Sequence, residues 1–376
     1  MEAKKQFFPL INSLRAFAVL IVIFFHGITE VFCREHGYYY PFKNGFLGVD
    51  LFFVLSGFLI TNVLIREYLL TGKVSIKNFY IRRILRLYPP IIVAIVIFLV
   101  PLSFFNFKDA FSNFFFLATY TGDIVMLFRH FIPYLEYPLF FSHCWSLSIE
   151  EQFYIFYPTL FLIFLKVFGR KKINFSFLFY IFNVFFLLLV VVGTLLMGGH
   201  FYKFFLWRFF EIFMGVFLAL LTNESFKKQF NIDANKSING IVRFLSSSIT
   251  LYIALAITVL TVLGLLLSNY GLHYYVFSFT SGIVILHAAF EDNKILNTVL
   301  SGSVLQYLGK ISYGLYLYHY PVFYSTQYLK IKLEPQNIYQ AMFIDVVRIG
   351  IALIISILSY ELIEKRILKL RTKFEA

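Results

Sequence analysis

Charge is what this chain has least of: only 14% of its 376 residues are Asp, Glu, Lys or Arg. A soluble domain of this length carries about a quarter, so a water-soluble enzyme or binding module is excluded. Acidic residues are the scarcer sign, 20 against 33 basic ones. Cysteine is reduced to Cys33 and Cys144, both at the same expected membrane face, which leaves open either a disulfide or plain packing. A small-residue cleavage site is missing after the first apolar stretch, and Arg15 interrupts that stretch. The start therefore reads as a retained helix rather than a signal peptide, despite Lys4 and Lys5. No soluble domain, low-complexity tract or internal repeat stands out, and the lack of a repeat weakens a transporter reading.

What is there is apolar and aromatic: 60% hydrophobic residues, with 51 Phe and 26 Tyr that read as lipid-facing bulk rather than a stacking platform. Stretches near 20 residues recur, the length that spans a bilayer as a helix. Ten candidate spans follow: 11–32, 46–65, 87–104, 148–165, 174–197, 204–221, 248–268, 272–290, 311–328 and 341–363. The expected fold is an all-α polytopic membrane protein, a bundle of about ten transmembrane helices with both termini cytoplasmic. That orientation puts 23 of the 33 basic residues on the inner face, as positive-inside topology requires. Only three basic residues, Arg15, Arg208 and Arg348, fall within spans. The net charge of +13 is thus topological, and no nucleic-acid partner is expected. The outer segment 105–147 is itself apolar and reads as lying on the membrane or dipping into it.

Ionisable residues inside a span are costly, so they point to function. Arg15 and His26 stand eleven positions apart on the first span, which returns them to one helix face about 16 Å apart along the axis. A permanent cation and a side chain that exchanges protons near neutral pH suggest an anion held at one end and proton transfer at the other. Arg15 snorkelling to headgroups and His26 bonding between helices are the structural alternatives. Asp50 opens the second span, where it either complements the helix dipole or orients a histidine. Ser56 and Gly57 suit close helix packing.

Arg82, Arg83 and Arg86 sit at the inner entrance of the third span, where guanidinium groups either grip phosphate bidentately or anchor the helix. His143, Ser146, Glu150 and Glu151 lead into the fourth span. There Ser146 can cap the helix, while His143 and Glu150, seven apart, recur on one face as equipment for activating a hydroxyl. Trp207, Arg208 and Glu211 suggest a structural ion pair. Tyr313, Tyr316, Tyr318, His319 and Pro321 put a second intramembrane histidine beside a helix-kinking proline.

Taken together and in this order, four blocks resemble one family, the membrane-bound acyltransferase 3 family. They are Arg15 with His26, Gly48–Thr61, Arg82–Pro89 with His143–Gln152, and Tyr313–Pro321 with Glu361–Lys365. The resemblance covers 8–366, leaving 367–376 as a basic cytoplasmic tail. It implies an acyl group, acetyl in most members, moved from cytoplasmic acyl-CoA to a hydroxyl of a cell-envelope carbohydrate such as O-antigen or exopolysaccharide. The enzyme would sit in the plasma membrane, with acyl-CoA as donor substrate and neither bound cofactor nor metal. By the same resemblance the positions matching Arg15 and His26 are essential, Arg82, Arg83 and Arg86 are implicated, and Glu150 is a candidate active-site carboxylate. The chain departs from the pattern at Glu364-Lys365-Arg366, where the family often has Glu-Lys-Pro, and no hydrolase-like soluble domain is expected.

The resulting expectation assigns chemistry to His26, Glu150 and Asp50. It assigns substrate binding to Arg15, Arg82, Arg83, Arg86, His143, Ser146, Tyr316 and His319, with Arg15 and His26 opening into one chamber. Its rivals are a transporter or flippase of a lipid-linked glycan, and a non-catalytic partner in polysaccharide assembly.

Overall fold

Long apolar runs without water to satisfy their backbone must form helices, and the regular elements of the computed structural model are all helical among the described residues. The structure describes 8–125, 140–168, 205–229, 236–266, 272–290, 293–328 and 333–374, with isolated positions between 180 and 192. The expected span 174–197 falls almost wholly outside these residues.

The first span is not one rod. Helix α1 (Pro9–Phe25) begins with Pro at a first-turn position, where its missing N–H costs nothing. It stops at Phe25, and α2 (Ile28–Glu35) leaves at 49°. The break has a cause: Asp345 accepts from the N–H groups of Ile28 and Thr29, 2.9 Å each, and from the Thr29 hydroxyl at 2.6 Å, capping α2 from a distant helix. A Cβ on Gly27 would lie 2.5 Å from that carboxylate, so only glycine fits between.

Helix α3 (Gly48–Thr71) ends on Gly72 in the left-handed region, φ 72°. Helix α4 (Ile76–Phe105) starts from the Ser75 cap and contains a π-turn at Ile95–Leu99. Then come α5 (Phe107–Thr119) and α6 (Trp145–Phe168), the latter after a 3₁₀ turn, Ser142–Cys144. Helices α7 (Phe205–Thr222), α8 (Ser248–Val262), α9 (Leu272–Phe290) and α10 (Ser303–Tyr328) follow. The last, α11 (Ile338–Phe374), passes through a π-turn at Tyr360–Glu364 and ends in 3₁₀ turns. Among the described residues three helices are long and apolar enough to cross a membrane: Gly45–Thr71 (α3 with the turn before it), α4 and α11. The bent pair α1–α2 would make a fourth.

Packing centres on α1, which lies against α10, α3 and α9, while α3 is clasped by α7 and α10 by α11. The α3–α7 crossing is tight because a Cβ on Gly57 would lie 1.8 Å from the Ile212 carbonyl, and one on Gly215 2.0 Å from that of Val54. Small residues at such crossings let backbones meet where lipid offers no hydrophobic drive. Gly57 therefore plays the packing role expected of it; Ser56 does not, since it faces a carboxylate. The basic segment from 367 to Phe374 continues α11 in helical turns, and Arg82 donates to the Phe374 carbonyl.

Candidate active site

Two hollows lie back to back inside the bundle. The inner one encloses about 1050 Å³ of space not filled by atoms, its mouth included, where α1, α3, α4, α6 and α10 converge. Its wall collects Arg15 from α1, three guanidinium groups from α4, the end of α11 through Arg371, and Glu150 and Glu151 from α6.

The arginines are not equivalent. Arg82 pairs with buried Glu67 at 2.6 Å. Arg83 pairs with Glu151 at 2.6 Å, approaches Glu150 at 4.0 Å, and stacks 3.5 Å above the Tyr154 ring. Arg15 and Arg86 line the same cavity and make no hydrogen bond or ion pair among the described residues. Two guanidinium groups without a direct ion pair, on a wall that carries five arginines and two carboxylates, suit an anion. Glu150 is held at the same wall by the Ser56 hydroxyl, 2.6 Å, and the Tyr154 hydroxyl, 2.7 Å.

The outer hollow is lined by His26, Glu30, Glu35, His36, Tyr320 and Arg348 among others. Behind its wall His26 joins two further imidazoles, which do not themselves line the hollow. His26 Nδ1 lies 3.1 Å from His319 Nε2. His319 Nδ1 is 2.6 Å, and His143 Nε2 2.8 Å, from one acceptor, the Tyr316 carbonyl. A carbonyl only accepts, so both nitrogens carry hydrogen. With each ring neutral, His319 Nε2 then holds a lone pair and receives the His26 Nδ1 hydrogen, which leaves the His26 lone pair on Nε2. That tautomer is the one a base needs.

Tyr316 is the partition. Its ring and hydroxyl face the inner cavity, where the hydroxyl lies 2.6 Å from Ser146 Oγ and donates to the His143 carbonyl at 3.0 Å. Its backbone carbonyl carries the histidines behind. The described linings of the two hollows have no residue in common, so Arg15 and His26 serve adjacent chambers and not the single one expected.

The structure gathers Arg15, Arg82, Arg83, Arg86, Ser146, Glu150 and Tyr316 on one cavity and joins His26, His319 and His143 beside it. Several expectations change in detail. Ser146 lies inside the first turn of α6 and does not cap it, because the 3₁₀ turn before Trp145 carries the helix entry. His143 and Glu150 do not pair: that turn swings His143 toward Tyr316 while Glu150 faces Ser56. Asp50 is fully buried in an ion-pair network, 2.9 Å from Arg208, which also holds Glu211 at 2.8 Å, and it lies off the wall of either hollow. The Arg208–Glu211 pair is structural as expected. Cys33 and Cys144 are both unbridged and buried. Pro321 sits within the unbroken helix α10. Sequence reasoning missed Tyr154, Ser56 as a partner of Glu150, Glu67 and Arg371; the nearest signal was Tyr154 standing four residues after Glu150.

A helical membrane protein with an inner cationic cavity set against an outer imidazole cluster is the class these observations define. The acyltransferase domain family matches residues 8–361, and the chain belongs to that family. It is 29% identical to the peptidoglycan O-acetyltransferase OatA of Listeria monocytogenes serovar 1/2a, over 97% of this chain and 56% of that protein. It is 30% identical to the O-acetyltransferase OatA of Staphylococcus aureus strain NCTC 8325, over 97% of this chain and 58% of that protein. The chain thus spans just over half the length of these curated relatives. No solved structure matches it.

Proposed function

We propose that this chain is an integral membrane O-acyltransferase that moves an acyl group, acetyl by analogy with the names of its relatives, from cytoplasmic acyl-CoA to a hydroxyl of an extracytoplasmic envelope carbohydrate. About ten spans, cytoplasmic termini and a plasma-membrane location complete the reading; its support is the 23 basic residues gathered at one face. The observation that supports it is the pair of guanidinium groups without a direct ion pair, Arg15 and Arg86, in a cavity whose wall includes Tyr316, the residue whose carbonyl holds the histidine bonded to His26.

In this reading the coenzyme A phosphates lie on Arg15 and Arg86, with Arg371 at the same mouth. Arg82 and Arg83 keep their carboxylates and shape the wall. The acyl thioester reaches up to Tyr316 and Ser146, and the Tyr316 ring swings aside to join the chambers. The acceptor hydroxyl oxygen then attacks the thioester carbonyl carbon while its proton passes to His26 Nε2. The carbon–sulfur bond breaks, and coenzyme A leaves as a thiolate that takes up a proton. Glu150, close to the thioester end, fixes the wall through Ser56 and Tyr154. A positioned base contributes roughly 10²–10⁴-fold.

The test uses the full chain in detergent or proteoliposomes with radiolabelled acetyl-CoA and isolated envelope polysaccharide. Wild type should release free thiol in step with acetylated polymer. His26→Ala should keep its elution profile and lose roughly 10²–10⁴-fold in rate. An unchanged rate would remove His26 from the chemistry, and substrate movement across the membrane without thiol release would replace the enzyme with a transporter.

A further inference from the structure

The outer hollow does not end at the imidazoles. It shares Thr326, Leu333 and Arg348 with a second hollow on the α10–α11 side. Beyond that junction the wall turns to Phe98, Val322, Phe343, Val347, Ile351 and Ile355, a hydrocarbon surface. One side of the junction is therefore polar and the other side is oily.

Arg348 stands at the junction itself. It is only 8% exposed, although it is a cation about 15 Å along α11 from its start. One guanidinium nitrogen donates to the Thr326 hydroxyl, Nε is buried without a partner, and the Phe323 ring lies 5.6 Å from the guanidinium carbon. No carboxylate pairs with it among the described residues. Asp345, its neighbour one turn earlier, attracts it through space but spends its hydrogen bonds on Ile28 and Thr29. A buried guanidinium held this way is costly unless an anion joins it, and its forked donors match phosphate best. Glu30, Glu35 and Glu334 line the polar side, and Arg348 is the one Arg or Lys in its described lining. Those carboxylates turn a phosphate away from the sugar-sized space and suit hydroxyl groups, so the phosphate belongs at Arg348.

Three consecutive environments, hydroxyl-binding, phosphate-binding and oily, lie in a row, with His26 at the first. We infer that the acceptor is a lipid-linked saccharide, its sugar beside His26, its phosphate on Arg348 and its chain in the groove along α10 and α11. This rests on the acyltransferase reading and adds the form in which the sugar arrives.

The probe is a disaccharide carried on a polyprenyl diphosphate, offered to the purified full chain. Binding is followed by native mass spectrometry and acetyl transfer by radiolabel. Wild type should bind the probe and acetylate it with a KM at least tenfold below that of the free disaccharide. Arg348→Met should weaken binding tenfold or more and collapse that advantage. Arg348→Lys, which keeps the charge and loses the fork, should fall between, and it stands in should the methionine variant not fold. Phosphatidylglycerol and inorganic phosphate at equal concentration should not displace the probe. Equal binding by the Arg348 variants overturns the proposal, as does displacement by phosphatidylglycerol (an ordinary bilayer lipid site) or by inorganic phosphate (a free-anion site). Arg348-dependent binding with no acetyl transfer to any acceptor would sink the acyltransferase reading and leave the lipid-linked saccharide site. Transfer to free and lipid-linked sugar with equal KM would sink this inference alone.

Discussion

The inner and outer hollows are built from the same two helices and could hardly differ more. Helix α1 gives Arg15 to the inner chamber, and His26, just past its end, faces the outer one; α10 gives Tyr316 to the inner wall and, through the same residue's carbonyl, holds the His319 that meets His26. The inner chamber has five guanidinium groups and two carboxylates in its described lining, whereas the outer has two imidazoles, three carboxylates and a single arginine. Eleven residues of helix carry a chain about 16 Å, which is enough to pass from one dielectric and charge regime to another. Tyr316 lines the inner one and holds, through its carbonyl, the histidine that meets His26. The lesson is that segregation of charge along shared helices, and not separate domains, distinguishes the two hollows here.

Breaking the frame that supports both chambers should have the largest effect. Arg208 is wholly buried with Asp50 and Glu211, and it ties α3 to α7 near the glycine crossing. Arg208→Met strands two carboxylates in a dry site, and losing one partner of a buried network costs about 3–5 kcal/mol. Thermal unfolding followed by size-exclusion chromatography should show an early loss of folded protein, with donor and acceptor binding failing together. A variant that keeps full stability would mean the network is solvated and not structural.

Next in size is a change confined to the outer chamber. His319→Leu removes the acceptor for the His26 Nδ1 hydrogen, so the His26 ring is free to take the wrong tautomer. Losing that kind of orientation costs an order of 10² or more in turnover. The KM for acetyl-CoA should not move, because the inner arginines are untouched. His319→Gln offers an amide oxygen to His26 and an N–H to the Tyr316 carbonyl, and should restore part of kcat. Equal damage from leucine and glutamine would point to packing alone.

The same contrast explains what was legible in the residues before any fold was known. Spacing within one helix was readable: Arg82 to Arg86 at one entrance, Gly57 at a crossing. What bends and pairs those helices was not. The break between α1 and α2 depends on Asp345, 317 positions from Ile28, and nothing local to Gly27 announces it. Asp50 looked equally suited to a helix start or a histidine, and its partner stands 158 positions away. His143 and Glu150 shared a face only on the assumption of continuous helix, which the 3₁₀ turn at Ser142–Cys144 removes. Helical periodicity is a local rule, whereas counter-ions in a bundle come from across it.

Within the inner chamber the sharpest and smallest test compares two arginines one helical turn apart. Arg86 and Arg82 share a face of α4 and a cavity, yet Arg82 is tied to Glu67 at 2.6 Å while Arg86 has no such tether. A charge-assisted contact to phosphate is worth about 1.5–3 kcal/mol. Arg86→Met should therefore raise the KM for acetyl-CoA about tenfold or more and leave thermal stability near wild type. Arg82→Met should do the reverse, because it strands the Glu67 carboxylate and loosens the end of α11 at Phe374 while removing no spare charge from the cavity. If both substitutions shift KM alike, the carboxylate pairing at Arg82 does not persist when donor binds, and the distinction between engaged and available guanidinium groups loses its meaning for this cavity.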